Sequence, residues 1–273
     1  MKNILITGCS TGIGLETAKL LHNNGYKVYA TARKKKDVEH LQNLGLISFK
    51  LNVTKPKDIS KALENILKED GELHAVFNNA GFGQPGAVED VDTKILKKQF
   101  ETNVFGLHEV TLQCMKIFRA QGYGKIIQHS SVLGIISLKF RGAYNASKYA
   151  IEGLADTMRQ ELSGSNISVS TINTGPVISR FRANALLKFE KNIDIENSFF
   201  TPTYKNELQT RLQSEKNDAP FTLPASSVAN VVLKIMNSSN PKPRYYVTGA
   251  THLLGFFKRV LSTSLMDKLL NRI

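Results

Sequence analysis

The chain reads as an α/β protein, a parallel sheet with helices on both of its faces. Three observations carry that reading. Short apolar, β-branched runs alternate along the chain with segments of helical period, as strands joined by crossover helices do. The first such run, Asn3 to Thr7, leads directly into a glycine-rich turn and then a helix. The 273 residues, 41% of them hydrophobic and 22% charged, suit one domain with a full core and supply no linker that would divide it.

The elements follow in order. Asn3 to Thr7 is a buried strand. Leu15 to Asn24 places Ala18, Leu20 and Leu21 at helical spacing, with Gly25 at the C-terminal side. Val28 to Ala32 is a second strand and Ile47 to Leu51 a third. Pro56 to Lys68 is a helix with proline near its start, where the missing N–H is harmless. His74 to Phe77 is a strand entering Asn78-Asn79-Ala80-Gly81, and Asp92 to Arg119 holds one long helix or two short ones. Lys125 to Gln128 is a strand, followed by Ser130-Ser131; Tyr144 to Leu162 is a helix, with Ala146, Ala150, Ile151 and Leu154 on one side. Ile167 to Ile172 is a strand ended by Asn173-Thr174-Gly175-Pro176. Residues 178 to 224 then read as a long irregular insert, which in a compact domain serves as a lid or binding loop. Val228, Val231, Val232, Ile235 and Met236 restore a helix, and Arg244 to Thr248 is a late strand.

Charge and composition exclude several classes. The formal net charge is +13, but Lys and Arg are scattered and the densest run, Arg33-Lys34-Lys35-Lys36, is four long, so nucleic acid is not the expected partner. The expected attraction is for an anionic cofactor or a membrane surface. Two cysteines are too few for a disulfide framework, and neither they nor the six histidines show ligand spacing, so no metal is expected. No stretch of about 20 apolar residues exists to span a bilayer. The N-terminal apolar run is too short for a signal peptide, and the expected location is the cytoplasm.

Two stretches point to chemistry. Thr7 to Gly14 reads TGCSTGIG, with glycines at 8, 12 and 14 between a strand and a helix. Glycine lets the backbone turn tightly and approach a ligand, and free N–H groups at a helix start favour a pyrophosphate. The second stretch is Ser131 to Lys148, ending Tyr144-Asn145-Ala146-Ser147-Lys148. On a helix Tyr144 and Lys148 share one face. A cation beside a phenol favours the phenolate, and lowering a Tyr pKa from about 10 to about 7 takes roughly 4 kcal/mol. The result would be a general acid/base working near neutral pH. Tyr-x-x-x-Lys alone equally describes a solvated helix face.

The Gly8/Gly12/Gly14 turn, Asn78 to Gly81, Asn103 in NVFG, Ser131, the Tyr144/Lys148 pair and Gly175-Pro176 occur in the order and spacing of the short-chain dehydrogenase/reductase family. Over about residues 1 to 250 the chain resembles that family, most closely its retinol, hydroxysteroid and carbonyl reductase branch. The resemblance implies a Rossmann-type doubly wound sheet in a single catalytic domain, 1–273, and hydride transfer between NAD(P)(H) and an alcohol/carbonyl pair. It implies that Tyr144 donates the proton, Lys148 lowers its pKa and holds the nicotinamide ribose, and Ser131 hydrogen-bonds the substrate oxygen. Asn103 would orient a water in a relay through Lys148. The cofactor would lie on Gly8, Ser10, Thr11, Gly12, Ile13, Gly14, Arg33, Asn52, Val53, Asn79, Ala80, Gly81, Tyr144, Lys148, Pro176 and Val177. Asn52-Val53 stands where the family usually has Asp-Val, which removes a negative charge beside the adenine.

The second strand ends Ala30-Thr31-Ala32-Arg33, with no acid to meet a ribose 2′-hydroxyl, whereas a guanidinium suits both adenine and a 2′-phosphate. NADP(H) is therefore expected in preference to NAD(H). The expected pocket walls, 82–88, 132–140 and the lid 178–224, carry Leu133, Ile135, Ile136, Leu138, Phe181, Leu186, Leu187 and Phe189. They favour a hydrophobic steroid- or retinoid-like carbonyl or alcohol, although apolar lid residues equally serve to pack the lid on the protein. His129 is read as facing the other side of the sheet from the serines by alternation. The tail, 250–273, is amphipathic, with Leu253, Phe256, Phe257, Val260 and Leu261 on one arc opposite Lys258 and Arg259, and with Ser264/Asp267 as a capping box. It reads as a lid, an oligomer contact or an interfacial membrane helix. The family implies a homodimer or homotetramer. A nucleotide-sensing regulatory protein without turnover is the alternative from another class.

Overall fold

The computed structural model describes residues 1–213 and 221–273; the part of the expected lid at 214–220 lies outside the described residues. The elements are β1 (Asn3–Ile6), α1 (Gly12–Asn23), β2 (Lys27–Ala32), α2 (Lys35–Asn43), β3 (Ile47–Lys50), α3 (Pro56–Asp70), β4 (Ala75–Asn78), α4 (Thr93–Phe100), α5 (Leu107–Gln121), β5 (Tyr123–Ser131), α6 (Gly142–Glu161) and β6 (Asn166–Thr174). After these come β7 (Val177–Ile178), α7 (Phe181–Asn192), α8 (Thr201–Thr203), α9 (Gln209–Gln213), β8 (Leu223–Pro224), α10 (Ser226–Asn237), β9 (Arg244–Tyr246), α11 (Gly249–Val260) and α12 (Thr263–Leu270).

Seven strands form one sheet in the order β3-β2-β1-β4-β5-β6-β9, and every pairing is parallel. Strand order reverses between β1 and β4, so the crevice at their carboxyl ends is where this kind of sheet takes a ligand. Alternation along the strands divides the core in two. Ile4, Ile6, Val28, Ala30 and Phe77 pack with Ala18 and Leu21 of α1 and Val228, Val232 and Ile235 of α10. On the other face, Leu5, Tyr29, Val76 and Ile126 pack with Ile59, Leu63 and Ile66 of α3, Val110, Cys114 and Phe118 of α5, and Ala155 of α6.

Several expectations need correction. Lys35–Asn43 is a helix that the basic composition of its start concealed; Val38 and Leu41 bury its one apolar edge. The described part of the segment 178–224 is not irregular. It opens with a strand pair, Val177–Ile178 against Leu223–Pro224, and continues in α7, and Phe189, Tyr204 and Leu208 form a small core with Ala87. Asp92 to Arg119 follows the second of its two expected forms, two helices, here joined by a π-helical turn at Glu101–Gly106 that carries Asn103. The last helix is capped by Ser262, whose hydroxyl accepts from the Leu265 N–H, not by Ser264. Leu253, Phe256 and Val260 do not share a surface with Phe257 and Leu261: the first three are exposed, and the latter two join the cluster around Leu133, Ile136 and Met266.

Candidate active site

The site is assembled where four loops leave the carboxyl ends of β1, β4, β5 and β6. The turn after β1 needs glycine. Gly8 and Gly12 have φ of +74° and +61°, and a Cβ on Gly14 would lie 2.4 Å from the Gly8 carbonyl oxygen. The Thr11 side chain does not cap α1, which leaves the N–H groups of its first turn available to a ligand. A cleft of about 450 Å³ runs from Thr11 and Gly12 along Leu15 to Ile178, Ser179 and Arg180. A backbone cradle that a Cβ would fill, at an uncapped helix start, fits a dinucleotide pyrophosphate.

The loop after β4 locks onto this turn. The Asn79 side-chain amide donates to the carbonyls of Thr7 at 2.9 Å and Gly8 at 3.0 Å, while Thr7 Oγ1 accepts from the N–H groups of Asn79 and Ala80. Asn103 works one step further on. Its Oδ1 accepts from Phe82 N at 3.1 Å, and its Nδ2 donates to Phe82 O at 2.9 Å and Ser147 Oγ at 3.2 Å. The widened turn that holds Asn103 thus ties the β4 loop to α6. Gly106 in the same turn packs on Val53, where a Cβ would meet Cγ2 at 2.8 Å.

Ser131 ends β5, buried, with Oγ accepting from Leu133 N and donating to Thr174 O at 3.3 Å. Tyr144 lies in the first turn of α6, half-buried, with Lys148 one turn on and buried. The Lys148 ammonium sits 5.5 Å from the centre of the Tyr144 ring and donates to the His129 carbonyl at 2.6 Å. Burial pushes the Tyr144 phenol up to about 12, with the Ser131 hydroxyl and the Arg141 charge pulling the other way. Burial likewise pulls Lys148 down to about 8, partly offset by the Glu152 carboxylate. The expected depression of the Tyr144 pKa is therefore not present in this structure. Desolvation of the phenol outweighs a cation that approaches its ring.

The His129 ring does not stand apart from the site. Being two residues before Ser131 it shares that residue's parity, and it packs against Phe77 on the α1 side of the sheet. Its Nδ1 meets Asn79 Oδ1 at 3.1 Å and its Nε2 meets Thr174 Oγ1 at 3.0 Å. Burial, then the Lys148 charge, holds it down to about 3, so it is a neutral brace between the β4 and β6 loops. Thr7, His129 and Thr174 were absent from the expected set. Their only sequence signal is position, each at or just beyond a strand's carboxyl end.

The lid reaches the chemistry through Phe181, whose ring meets Tyr144 edge-on at 5.3 Å between centres. Gly83 makes room for it, since a Cβ there would lie 2.8 Å from Phe181 Cζ. Phe189, expected in the pocket wall, is instead buried in the small cluster that joins the lid to Ala87, and Leu187 is exposed. Lys188 lies 5.2 Å from the centre of the Phe82 ring. Burial and the charges of Lys191, Arg33 and Lys98 lower its pKa, so lid, α4 and the end of β2 bring cations to one mouth. A second cleft, about 770 Å³, lies between the first turn of α6 and α12 and includes neither Tyr144 nor Ser131. Among the described residues no group of His, Cys, Asp and Glu could hold a metal ion, and no helix is long and apolar enough to cross a membrane.

The family described as "short chain dehydrogenase" matches residues 2–188 of the sequence. The chain belongs to the short-chain dehydrogenase family. An uncharacterized oxidoreductase of Escherichia coli, YbbO, is 36% identical over 270 residues, covering 98% of this chain and 94% of that protein. An NADPH-dependent 1-acyldihydroxyacetone phosphate reductase of Schizosaccharomyces pombe is 32% identical over 79% of this chain and 73% of its own. Retinol dehydrogenase 8 of Bos taurus is 30% identical over 89% of this chain and 80% of its own. A short-chain dehydrogenase structure from Streptomyces avermitilis superposes with a TM-score of 0.79 at 23% identity, covering 98% of this chain and 94% of that one, and shares the fold. In this short-chain dehydrogenase, then, the seven-stranded parallel sheet flanked by helices is the family's fold.

Proposed function

We propose that the chain is an NADP(H)-dependent oxidoreductase that interconverts a hydrophobic alcohol and its aldehyde or ketone, with Tyr144 as the general acid/base. The observation that carries this reading is the convergence of Tyr144, Ser131 and Lys148 beside the glycine turn, under the ring of Phe181.

When bound, the nicotinamide would supply or accept the hydride at the reacting carbon. The chain's residues handle the rest. Held protonated by burial, the Tyr144 hydroxyl is a proton donor at neutral pH, the form needed to reduce a carbonyl. Ser131 presents a hydroxyl to the same oxygen from the end of β5. Lys148, kept in place by the His129 carbonyl, supplies positive charge as negative charge develops on the phenol oxygen. Asn103 holds the Phe82 backbone and Ser147, and so positions α6 against the β4 loop. Phe181 and the 132–138 wall exclude water from the reacting bond.

Preference for the 2′-phosphate rests on Arg33 at the end of β2, the absence of an acid there, and the cations Lys98 and Lys188 at the same mouth. The relative named NADPH-dependent supports it. The apolar walls, and relatives named for retinol and for an acylated substrate, support a hydrophobic substrate. Exposed Phe105, Leu112, Tyr149 and Leu154 support self-association through α5 and α6. The test is a panel of apolar and small polar carbonyls and alcohols followed by NADPH absorbance and repeated with NADH. Turnover of only small polar carbonyls, or faster turnover with NADH, would reject the substrate or the cofactor half of the reading.

A further inference from the structure

Helix α11 has two apolar faces and only one is covered. Its inner face, Leu254 and Phe257, packs with Leu261 and Met266 against Leu133, Ile136 and Tyr144. Its outer face carries Leu253, Phe256 and Val260, which are 47%, 59% and 57% exposed. Spaced at i, i+3 and i+7, they lie within an arc of about 60° and form one ridge. Arg259 and His252 border that arc, and both are exposed. From 249 to 273 the chain carries Lys258, Arg259, Lys268 and Arg272 against Asp267 as the one acid. All five are exposed, and none enters an ion pair among the described residues.

Unpaired cations beside an exposed apolar ridge match the chemistry of an anionic lipid surface. A second copy of the chain fits worse. A two-fold contact would set these cations against themselves, and three side chains fall well short of the roughly 1,200 Å² a stable dimer buries. The net charge of +13 favours an anionic partner for this face. We propose that α11 docks its outer face, Leu253, Phe256 and Val260, on an anionic bilayer surface, with Arg259 at its border and the α12 cations supplying positive charge. Its inner face is then one helix thickness from Tyr144, so a substrate dissolved in the bilayer meets the pocket wall at the interface. That last consequence rests on the proposed oxidoreductase function; the docking does not.

The test is co-flotation of the full chain with phosphatidylcholine vesicles, with and without phosphatidylserine. Phosphatidylserine is expected to raise binding by tenfold or more, in line with about fivefold per cation, and added salt to reverse it. Phe256→Ser/Val260→Ser and Arg259→Glu should each lose most of the binding while keeping the wild-type melting temperature. No flotation with anionic vesicles, or equal flotation of both variants, overturns the proposal. So does an outcome in which the variants instead turn a sedimenting dimer into a monomer, which would assign the ridge to a second copy. If the chain floats but turns over no carbonyl, the docking stands and the oxidoreductase reading falls.

Discussion

Glu152, buried in α6 one turn beyond Lys148, accepts a hydrogen bond from Arg244 of β9 at 2.7 Å through one oxygen and from Asn173 of β6 at 2.6 Å through the other. The same Asn173 amide donates to the Ser131 carbonyl at 3.2 Å. The edge strand is thereby connected to the serine that would face the substrate. Gly134, three residues past Ser131, packs so closely on this part of α6 that a Cβ would lie 3.1 Å from Glu152 Cγ.

A carboxylate so placed should position Ser131 as well as hold the fold together. Glu152→Ala leaves Arg244 with Asp156 alone and Asn173 with the Ser131 carbonyl alone, and losing the buried partner costs about 2 kcal/mol after allowance for the remaining acceptors and the partly exposed arginine. Glu152→Gln keeps the shape and one acceptor. We expect it to retain most of the stability and lose about tenfold in kcat with little change in the KM for cofactor, as one misplaced hydrogen-bonding group would. Denaturant titration beside steady-state kinetics reads both. Unchanged kcat in a destabilised Glu152→Gln protein would leave the residue a purely structural role.

Tyr144→Phe removes one oxygen from a ring that is otherwise packed by Phe181 and the 132–138 wall. The fold and the glycine turn should be untouched, so cofactor affinity measured by NADPH fluorescence should stay within about twofold. Turnover should fall by about 10²–10⁴, the usual worth of a positioned proton donor. Should biological activity survive in that variant, the alternative of a nucleotide sensor without turnover gains what the oxidoreductase reading loses.

Lys148 carries a conflict between stability and chemistry. Its pKa falls from 10.5 to about 8 on folding, chiefly by burial. Between those values the unfolded chain binds the proton and the folded chain does not, so stability rises with pH across that window. Below about 8 both states are charged and the burial penalty is present in full. Lys148→Met should therefore be more stable than the parent near pH 7, by about 2 kcal/mol, and should lose the rise between pH 8 and 10. It should also lose turnover, because the buried cation one turn from the phenol is gone. Thermal melts at several pH values decide the matter; a less stable Lys148→Met would show that the bond to the His129 carbonyl outweighs the desolvation.

How far these relationships could be read in advance depended on where their signal resides. The strand–glycine–helix opening and the Tyr144/Lys148 pair are local, and hydrophobic periodicity alone placed most strands to within a residue or two. Helix α2 was concealed because it starts with Lys35 and Lys36 directly after Lys34, and only Val38 and Leu41 are apolar at core spacing. The lid helices were concealed because Phe189 and Tyr204 pack on each other, a tertiary contact that no helical stripe announces. The pairs Glu152–Arg244 and His129–Thr174 join residues 92 and 45 positions apart, and such partners are invisible without the sheet that aligns them. The Tyr144 pKa misled for a related reason: spacing indicates that a lysine is near, but not that apolar walls surround both groups.

Arg33 tests the cofactor preference most directly. It follows β2 at its carboxyl end, exposed, with Ala32 before it and no acidic side chain at the position. A guanidinium there can make charge-assisted hydrogen bonds to a ribose 2′-phosphate, each worth about 1.5–3 kcal/mol. A 2′-hydroxyl offers the same group little. Arg33→Ser should then raise the KM for NADPH by roughly 10- to 100-fold and leave that for NADH nearly unchanged. Arg33→Asp should go further and favour NADH, because a carboxylate accepts from the 2′-hydroxyl and repels the phosphate. Lys188→Gln on the lid removes a cation from the same mouth without touching the strand end, and a smaller effect on NADPH, within about tenfold, is expected. Steady-state kinetics with both nucleotides on the three variants separates the contributions. Equal losses with NADPH and NADH in Arg33→Ser would mean that the guanidinium serves the adenine or the fold, and the preference would have to be sought elsewhere in the crevice.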